Sequence, residues 1–282
     1  MKSGAVVVTY FPNERFLNLI NNLILDFNIE KIIIVDNTDA NNWILYEDII
    51  KNEKVILIEN KENLGIARAL NQGIECLASM NFDWVLTMDQ DSNIGPELLE
   101  KYKEFVNKNN TDKIGMLGTN YIDINLNEIK IPGEWNEKEV NEVISSGSFL
   151  NMKIFSELKG FKEHYFIDQV DNEYCFRLIK NNYKIFMING IDLEHSMGDI
   201  TRITIGPVKF HLYNQKPIRT FYRTRNMIYM MKEYKELTLI YSKIMSLLID
   251  FIKIAFEKES LHKYLYFIKG VKTGILGELH DK

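Results

Sequence analysis

Asp89-Gln90-Asp91 follows directly on the apolar run WVLTM at 84–88. If that run is a strand, alternate residues point the same way and the two acids share a face. Carboxylates on one face repel each other unless a cation lies between or beside them. Oxygen donors suit Mg²⁺ or Mn²⁺, which keep coordination positions open for substrate phosphates. A lone DxD is a weak signal, because surface loops produce many. Other polar residues hold equivalent places: Thr9 and Tyr10 follow AVVVT at 5–9, and Asp36 and Asn37 follow KIIIV at 31–35. Singly, each reads as a turn former or helix cap. Several strands ending in donors and carboxylates describe a shared cleft.

The elements that must position these residues alternate. The runs at 5–9, 31–35, 55–58 and 84–88 are short and apolar, of the kind buried in a parallel sheet. Asn13 can cap a helix carrying Phe16, Leu17, Leu19, Ile20 and Leu23, and Asn63 stands ahead of a second helix over 65–79. Such alternation argues for βαβ units, in which ligands bind outside the carboxyl ends of the strands. From about residue 110 the pattern shifts to shorter strand-like pieces, a turn at Pro132-Gly133 and the segment Ser145-Ser146-Gly147. A helix is expected over 171–180, a strand over 184–188, a polar turn at Glu194-His195-Ser196, and helix from Ile218 onward.

Hydrophobic residues make up 46% and charged residues 26% of the 282, which is ordinary globular usage and argues against wholesale disorder. Two cysteines, Cys76 and Cys175, cannot build a disulfide framework, and no CxxC or Cys/His cluster suggests zinc. The absence of GxGxxG and GxxxxGK[ST] disfavours a Rossmann dehydrogenase or a P-loop NTPase. The start, MKSGAVVVTYFP, has no basic segment, long apolar region or cleavage site, so a cytoplasmic location is expected. No apolar run approaches the ~18 residues that span a bilayer.

The net charge of −5 hides an asymmetry. Residues 1–206 carry 20 Lys+Arg against 32 Asp+Glu, a net −12, and residues 207–282 carry 14 against 7, a net +7. A basic tail faces something anionic: phosphates, nucleic acid or lipid. Nucleic acid is the weakest candidate, because Glu233, Glu236, Glu257 and Glu259 interrupt the basic residues. Across 237–257 the polar positions Lys243, Ser246, Asp250, Lys253 and Glu257 form a narrow stripe. The rest of that helix is broadly apolar, with Leu239, Ile240, Ile244, Leu247, Leu248, Phe251, Ile252 and Phe256. The segment 261–275 combines Tyr264, Tyr266 and Phe267 with Lys263, Lys269 and Lys272. Two readings stand level: an in-plane membrane-surface anchor, or packing on the catalytic domain or a second subunit, which would make a homo-oligomer.

In order and spacing, VVVTYFP, IIIVDN, ENLGIARALNQGI and LTMDQDS resemble the family 2 inverting glycosyltransferases. The DQDS form, with FIDQVDNEYCFRL and FYRTRN further on, is most similar to the bacterial rhamnosyltransferase branch. The resemblance spans roughly residues 4–230. It implies an α/β chain with the GT-A nucleotide-sugar-binding fold, a Rossmann-like mixed sheet flanked by helices, and a C-terminal helical extension. Residues 1–206 would form the catalytic domain, nucleotide-binding over about 1–110 and acceptor-binding over about 111–206, with 207–282 as the extension.

The roles that the resemblance implies can be checked against side-chain chemistry. Thr9, Tyr10, Asp36 and Asn37 would surround the base and ribose, Tyr10 offering a stacking face. Asn63, Gly65 and Arg68 would lie beside the nucleotide, although Gly65 could be an ordinary helix-start turn and Arg68 a solvated face. Asp89 would contact ribose or metal, and Asp91 would ligate the cation, Mg²⁺ or Mn²⁺, with His195 completing the site. Asp171 would be the catalytic base; the neighbouring carboxylate of the family pattern is replaced by Val170, with Asp168 and Glu173 as acceptor-side helpers. Ser146 and Gly147 would belong to the acceptor loop. Tyr222, Arg223, Arg225 and Asn226 would hold the diphosphate, with Arg223 equally readable as part of a basic helix face.

The activity implied is inverting, metal-dependent transfer of L-rhamnose from dTDP-L-rhamnose. The acceptor would be a cell-surface polysaccharide or its lipid-linked precursor, met at the inner face of the plasma membrane. A UDP-sugar donor carrying galactofuranose, glucose or N-acetylglucosamine is the runner-up. A non-catalytic nucleotide-sugar-binding scaffold subunit is the alternative from another class, favoured by Val170 alone.

Overall fold

The computed structural model describes residues 1–40, 43–95, 97–126, 128–133, 135–195, 200–205 and 208–277. All seven residues of β1 (Ser3–Thr9) are buried, as a continuous β-branched run requires. β2 (Lys31–Asp36), β3 (Val55–Glu59) and β4 (Trp84–Asp89) complete a parallel unit in which β1 lies between β2 and β4, with β3 outside β2. The connections are α1 (Glu14–Leu25), the short α2 (Trp43–Tyr46) and α3 (Ile66–Ala78). Asn13 caps α1 as expected, its Oδ1 accepting the Arg15 N–H at 3.0 Å.

The second half is mixed. After α4 (Leu98–Lys108) come β5 (Ile114–Asp123), β6 (Glu128–Ile129), β7 (Glu137–Val140), β8 (Ser148–Asn151), α5 (Met152–Glu157), α6 (Val170–Lys180) and β9 (Lys184–His195). The sheet order is β3-β2-β1-β4-β8-β5-β9-β7, with β6 paired to β5. β8 is antiparallel to both β4 and β5 and joins the two halves. Alternate residues of β1 serve opposite cores: Val6 and Val8 face α3 and α6, while Ala5 and Val7 face α1 and α4.

Two expectations need correction here. β9 does not stop near 188 but runs beside β5 to the register pair Asp123–His195. Glu194 and His195 therefore belong to a strand, because β5 supplies partners for their backbone groups. The division expected at 206/207 falls between β10 (Ile200–Ile205) and β11 (Val208–Tyr213), which pair as an antiparallel hairpin. The helical extension starts at α7 (Pro217–Glu233) and continues as α8 (Ile240–Ile254) and α9 (Ser260–Leu276). Among the described residues no helix is long and apolar enough to cross a membrane.

Candidate active site

The carboxyl ends of the parallel strands line up. Thr9 lies opposite Asp36 in the β1–β2 register, and Val8 lies opposite Asp89 in the β1–β4 register. Thr9 and Asp36 are buried. The Asp36 Oδ1 accepts the Thr9 hydroxyl at 3.1 Å, the Thr38 N–H at 2.9 Å and the Thr38 hydroxyl at 2.5 Å, which fixes the carboxylate. Tyr46 shares a 2.9 Å hydrogen bond with Thr9, and burial pushes its phenol pKa up, keeping it a hydroxyl. A lone tyrosine in a four-residue helix gives no sequence signal, so Tyr46 is apparent only in the fold.

Tyr10 stays exposed, its backbone tied to the DQD segment: its N–H donates to Gln90 Oε1 at 2.8 Å, and Gln90 Nε2 returns a 2.9 Å bond to its carbonyl. Asn37 is instead buried with both amide ends engaged, Nδ2 donating to the Gly65 carbonyl at 3.1 Å and Oδ1 accepting from Asn60 at 2.8 Å. It ties β2 to the start of α3. Asn63 Oδ1 accepts the Gly65 N–H at 3.0 Å. Gly65 has φ +84°, and a Cβ there would lie 2.6 Å from the Phe166 ring. The close approach that needs glycine is therefore that of the 166 loop, whose carbonyl accepts the Ile66 N–H at 2.7 Å. Arg68 is half-exposed with Glu163 3.9 Å away.

Asp89, Ser92, Ser145, Ser146 and Asp171 form one network. The Asp89 N–H donates to Ser146 Oγ at 3.2 Å, and the Ser146 hydroxyl donates to Ser92 Oγ at 2.7 Å. One residue earlier, the Ser145 N–H donates to Asp171 Oδ2 at 3.3 Å, while the Asn172 N–H donates to Asp171 Oδ1 at 2.8 Å. The strand-end acid of β4 and the first-turn acid of α6 thus hang on adjacent residues. Gly147, at φ +77°, continues this connection, its N–H donating to the Thr87 carbonyl at 2.8 Å. Burial raises the Asp171 pKa, and the two N–H groups oppose the shift without cancelling it. Val170, beside it, is buried in the core.

Asn93 and Glu194 exchange two 3.0 Å backbone hydrogen bonds, which bring the DQDS loop against the end of β9. Asp91 is half-buried and makes no hydrogen bond or ion pair among the described residues. The His195 side chain lies outside what the structure describes. Asp123, its register partner, is buried with Oδ2 lacking a hydrogen-bond partner among the described residues. The described residues contain no group of three or more metal-type side chains. Asp91 with Asp89 nevertheless supplies hard oxygen donors with one carboxylate uncommitted, which suits a cation that also binds phosphate.

The FYRTRN residues are placed differently from expectation. Phe166, Asp168 and Gln169 all have positive φ, a strained stretch for non-glycine residues. Asn226, fully buried, holds it by donating from Nδ2 to the carbonyls of Tyr165, Ile167 and Asp168 at 2.7–2.9 Å. Arg225 donates to the His164 carbonyl at 2.6 Å and to Asn226 Oδ1, and Tyr222 stacks on Phe166 at 4.9 Å. Arg223 is paired with Asp250 of α8 at 3.1 Å. Arg225 thus braces the loop, while Arg223 ties α7 to α8. Glu173 is likewise no open acceptor-side acid: it is fully buried, held by Arg177 at 3.0 Å, Lys162 at 3.2 Å and the Tyr234 hydroxyl.

Arg219, in the first turn of α7, pairs instead with Asp168, and the Asp89 carboxylate also acts on its charge. Its Nε and Nη2 grip Asp168 at 3.2 and 2.5 Å. Burial opposes its charge, but the Asp168 and Asp89 carboxylates carry its pKa above the ordinary value. It stands just ahead of FYRTRN, and the Pro217 that opens α7 was the available signal.

Comparison with known proteins matches the profile of Glycosyl transferase family 2 to residues 5–149. The chain is 28% identical over 290 aligned positions to the dTDP-rhamnosyl transferase RfbF of Shigella flexneri, covering 97% of this chain and 95% of that one. It is 23% identical to an uncharacterized glycosyltransferase of Methanocaldococcus jannaschii, covering 98% and 97%. Among solved structures it resembles S. aureus TarS 1-349 in complex with UDP-GlcNAc, with TM-score 0.64, 14% identity and coverage of 98% and 81%. GalNAc-T7 with UDP, GalNAc and Mn²⁺ superposes with TM-score 0.60, 12% identity and coverage of 83% and 49%.

Proposed function

The chain belongs to glycosyl transferase family 2 and is a glycosyltransferase with the GT-A fold, and we propose that it transfers L-rhamnose from dTDP-L-rhamnose with inversion. The near full-length likeness to a dTDP-rhamnosyl transferase is the observation that carries the donor. The donor lies on the 1–110 half and the acceptor against 111–206. The acceptor is a growing cell-surface polysaccharide or its lipid-linked precursor, at the inner face of the plasma membrane.

Asp171 takes the proton of an acceptor hydroxyl as that oxygen forms its bond to the anomeric carbon. The bond from that carbon to the diphosphate oxygen breaks, and its electron pair leaves with the nucleoside diphosphate. Burial raises the Asp171 pKa, which makes it a stronger base than an ordinary aspartate. Mg²⁺ or Mn²⁺, held by Asp91 with Asp89 and by His195 at the end of β9, would neutralise charge on the diphosphate. Arg219 adds a fixed positive charge on the same side of the sheet.

Release of nucleoside diphosphate, screened with dTDP-rhamnose beside several UDP-sugars and a divalent ion, tests the reading. Turnover with dTDP-rhamnose, lost in Asp91→Ala and Asp171→Asn, supports it. Turnover with a UDP-sugar alone assigns the other donor class, and full turnover in both variants removes the mechanism.

A further inference from the structure

The two last helices are folded with their polar side inward. Lys243 of α8 is buried, its Nζ 2.9 Å from Glu142 and 3.1 Å from Asn172 Oδ1. Asp250 pairs with Arg223 at 3.1 Å, and Glu257 is buried against Lys263 of α9 at 2.6 Å. The narrow polar stripe of the sequence is therefore spent on the body of the protein and on the helix pair itself. The broad apolar face turns out: Met245, Leu248 and Ile252 are 56%, 55% and 54% exposed. α9 repeats this with Leu261, Leu265 and Ile268 at 79%, 65% and 61%. The two stripes adjoin at Phe251, whose ring packs on Tyr264 and Phe267 at 5.2 Å. A contiguous exposed apolar surface of this kind marks an interaction site.

Charge selects the occupant. Asp250 is the one carboxylate in the sequences of α8 and α9, and it is paired inward. The charged side chains exposed on α9 include Lys269 and Lys272. A two-fold contact with a second copy would set this lysine-bearing face against itself. An anionic bilayer accepts it and repels the acidic remainder, net −12 over residues 1–206. Neither helix is long and apolar enough to cross.

We propose that α8 and α9 lie in the plane of an anionic phospholipid surface, with these apolar stripes in the headgroup region. α9 packs closely on α7. The two helices approach so closely that a Cβ on Gly270 would stand 2.8 Å from the Phe221 carbonyl, and α7 carries Arg219 in its first turn. The docking does not depend on which sugar is moved.

Flotation of the full-length chain with vesicles of phosphatidylcholine, alone or mixed with phosphatidylglycerol, tests the proposal. The protein is expected to float with the mixed vesicles and to be released by salt. Leu248→Glu with Ile252→Glu, and separately Lys269→Gln with Lys272→Gln, should each lower the bound fraction about tenfold or more. Nucleoside diphosphate release from the donor in solution and the melting temperature should be unchanged, which separates this result from failure of the donor assignment. A wild-type chain that floats with neither vesicle overturns the proposal, as does equal flotation of all forms. A dimer in solution that Leu248→Glu with Ile252→Glu splits, without flotation, assigns the face to a second copy instead.

Discussion

Asp89 and Asp171 are held by neighbouring residues of one loop: the Asp89 N–H donates to Ser146 Oγ at 3.2 Å, and Asp171 Oδ2 accepts the Ser145 N–H at 3.3 Å. The same loop is fastened below by Thr87, whose hydroxyl donates to the Ser145 carbonyl at 2.6 Å. A displacement of this loop therefore moves the strand-end acid and the proposed base together.

Ser146→Ala tests that coupling. The substitution leaves the Asp89 N–H without its acceptor and removes the donor to Ser92 in a buried place. We expect a loss of about 1–3 kcal/mol in stability. A lower kcat at saturating donor should accompany it, and calorimetry with steady-state kinetics reads both. Unchanged kcat in a destabilised variant would uncouple the loop from catalysis.

The acid limb of the activity profile should reflect Asp171. The base acts deprotonated, so activity rises as pH climbs through its folded pKa, which burial places above the ordinary aspartate value. Lys243 opposes that shift, and Glu142 adds to it. Lys243→Met should therefore move the limb to higher pH, measured as kcat/KM against pH. A limb that stays in place shows that α8 does not tune the base.

Asn226→Ala distinguishes loop-building from ligand binding. Three carbonyls of a strained turn lose their shared donor, at a cost on the order of 2–4 kcal/mol. The expected signature is a lowered melting temperature without donor. An unchanged melt with a raised KM for the nucleotide sugar would restore the diphosphate role read from the sequence.

Arg219→Ala removes the cation that grips Asp168 and feels the Asp89 charge. If it stabilises the departing diphosphate, turnover should fall by about 10²-fold. Arg219→Lys should recover part of it, since a point charge remains without the planar fork that grips Asp168. Equal activity in all three forms would reduce Arg219 to a tether for the 168 loop.

Local pattern determined the first half of the protein. The runs at 5–9, 31–35, 55–58 and 84–88 became β1 to β4 because β-branched residues flanked by caps leave few other conformations. The polar residues after them had to fall on one edge, since parallel strands joined by helices end on the same side. The strand-end places of Thr9, Asp36 and Asp89 follow for that reason, whereas Asp171, in the first turn of α6, is singled out only through the family resemblance. Tertiary structure decided what each charge does. Glu173 and Asp171 stand two positions apart on one helix, yet Lys162, Arg177 and Tyr234 bury the first while loop N–H groups hold the second. Arg223 and Arg225 stand in one motif, yet the first found a carboxylate on α8 and the second a pair of carbonyls, while Arg219, outside the motif, found Asp168. A side chain's charge and period are written locally, but its partners arrive from distant segments. Which way α8 turned its stripe was settled only when Glu142 and Arg223 were in place to receive Lys243 and Asp250.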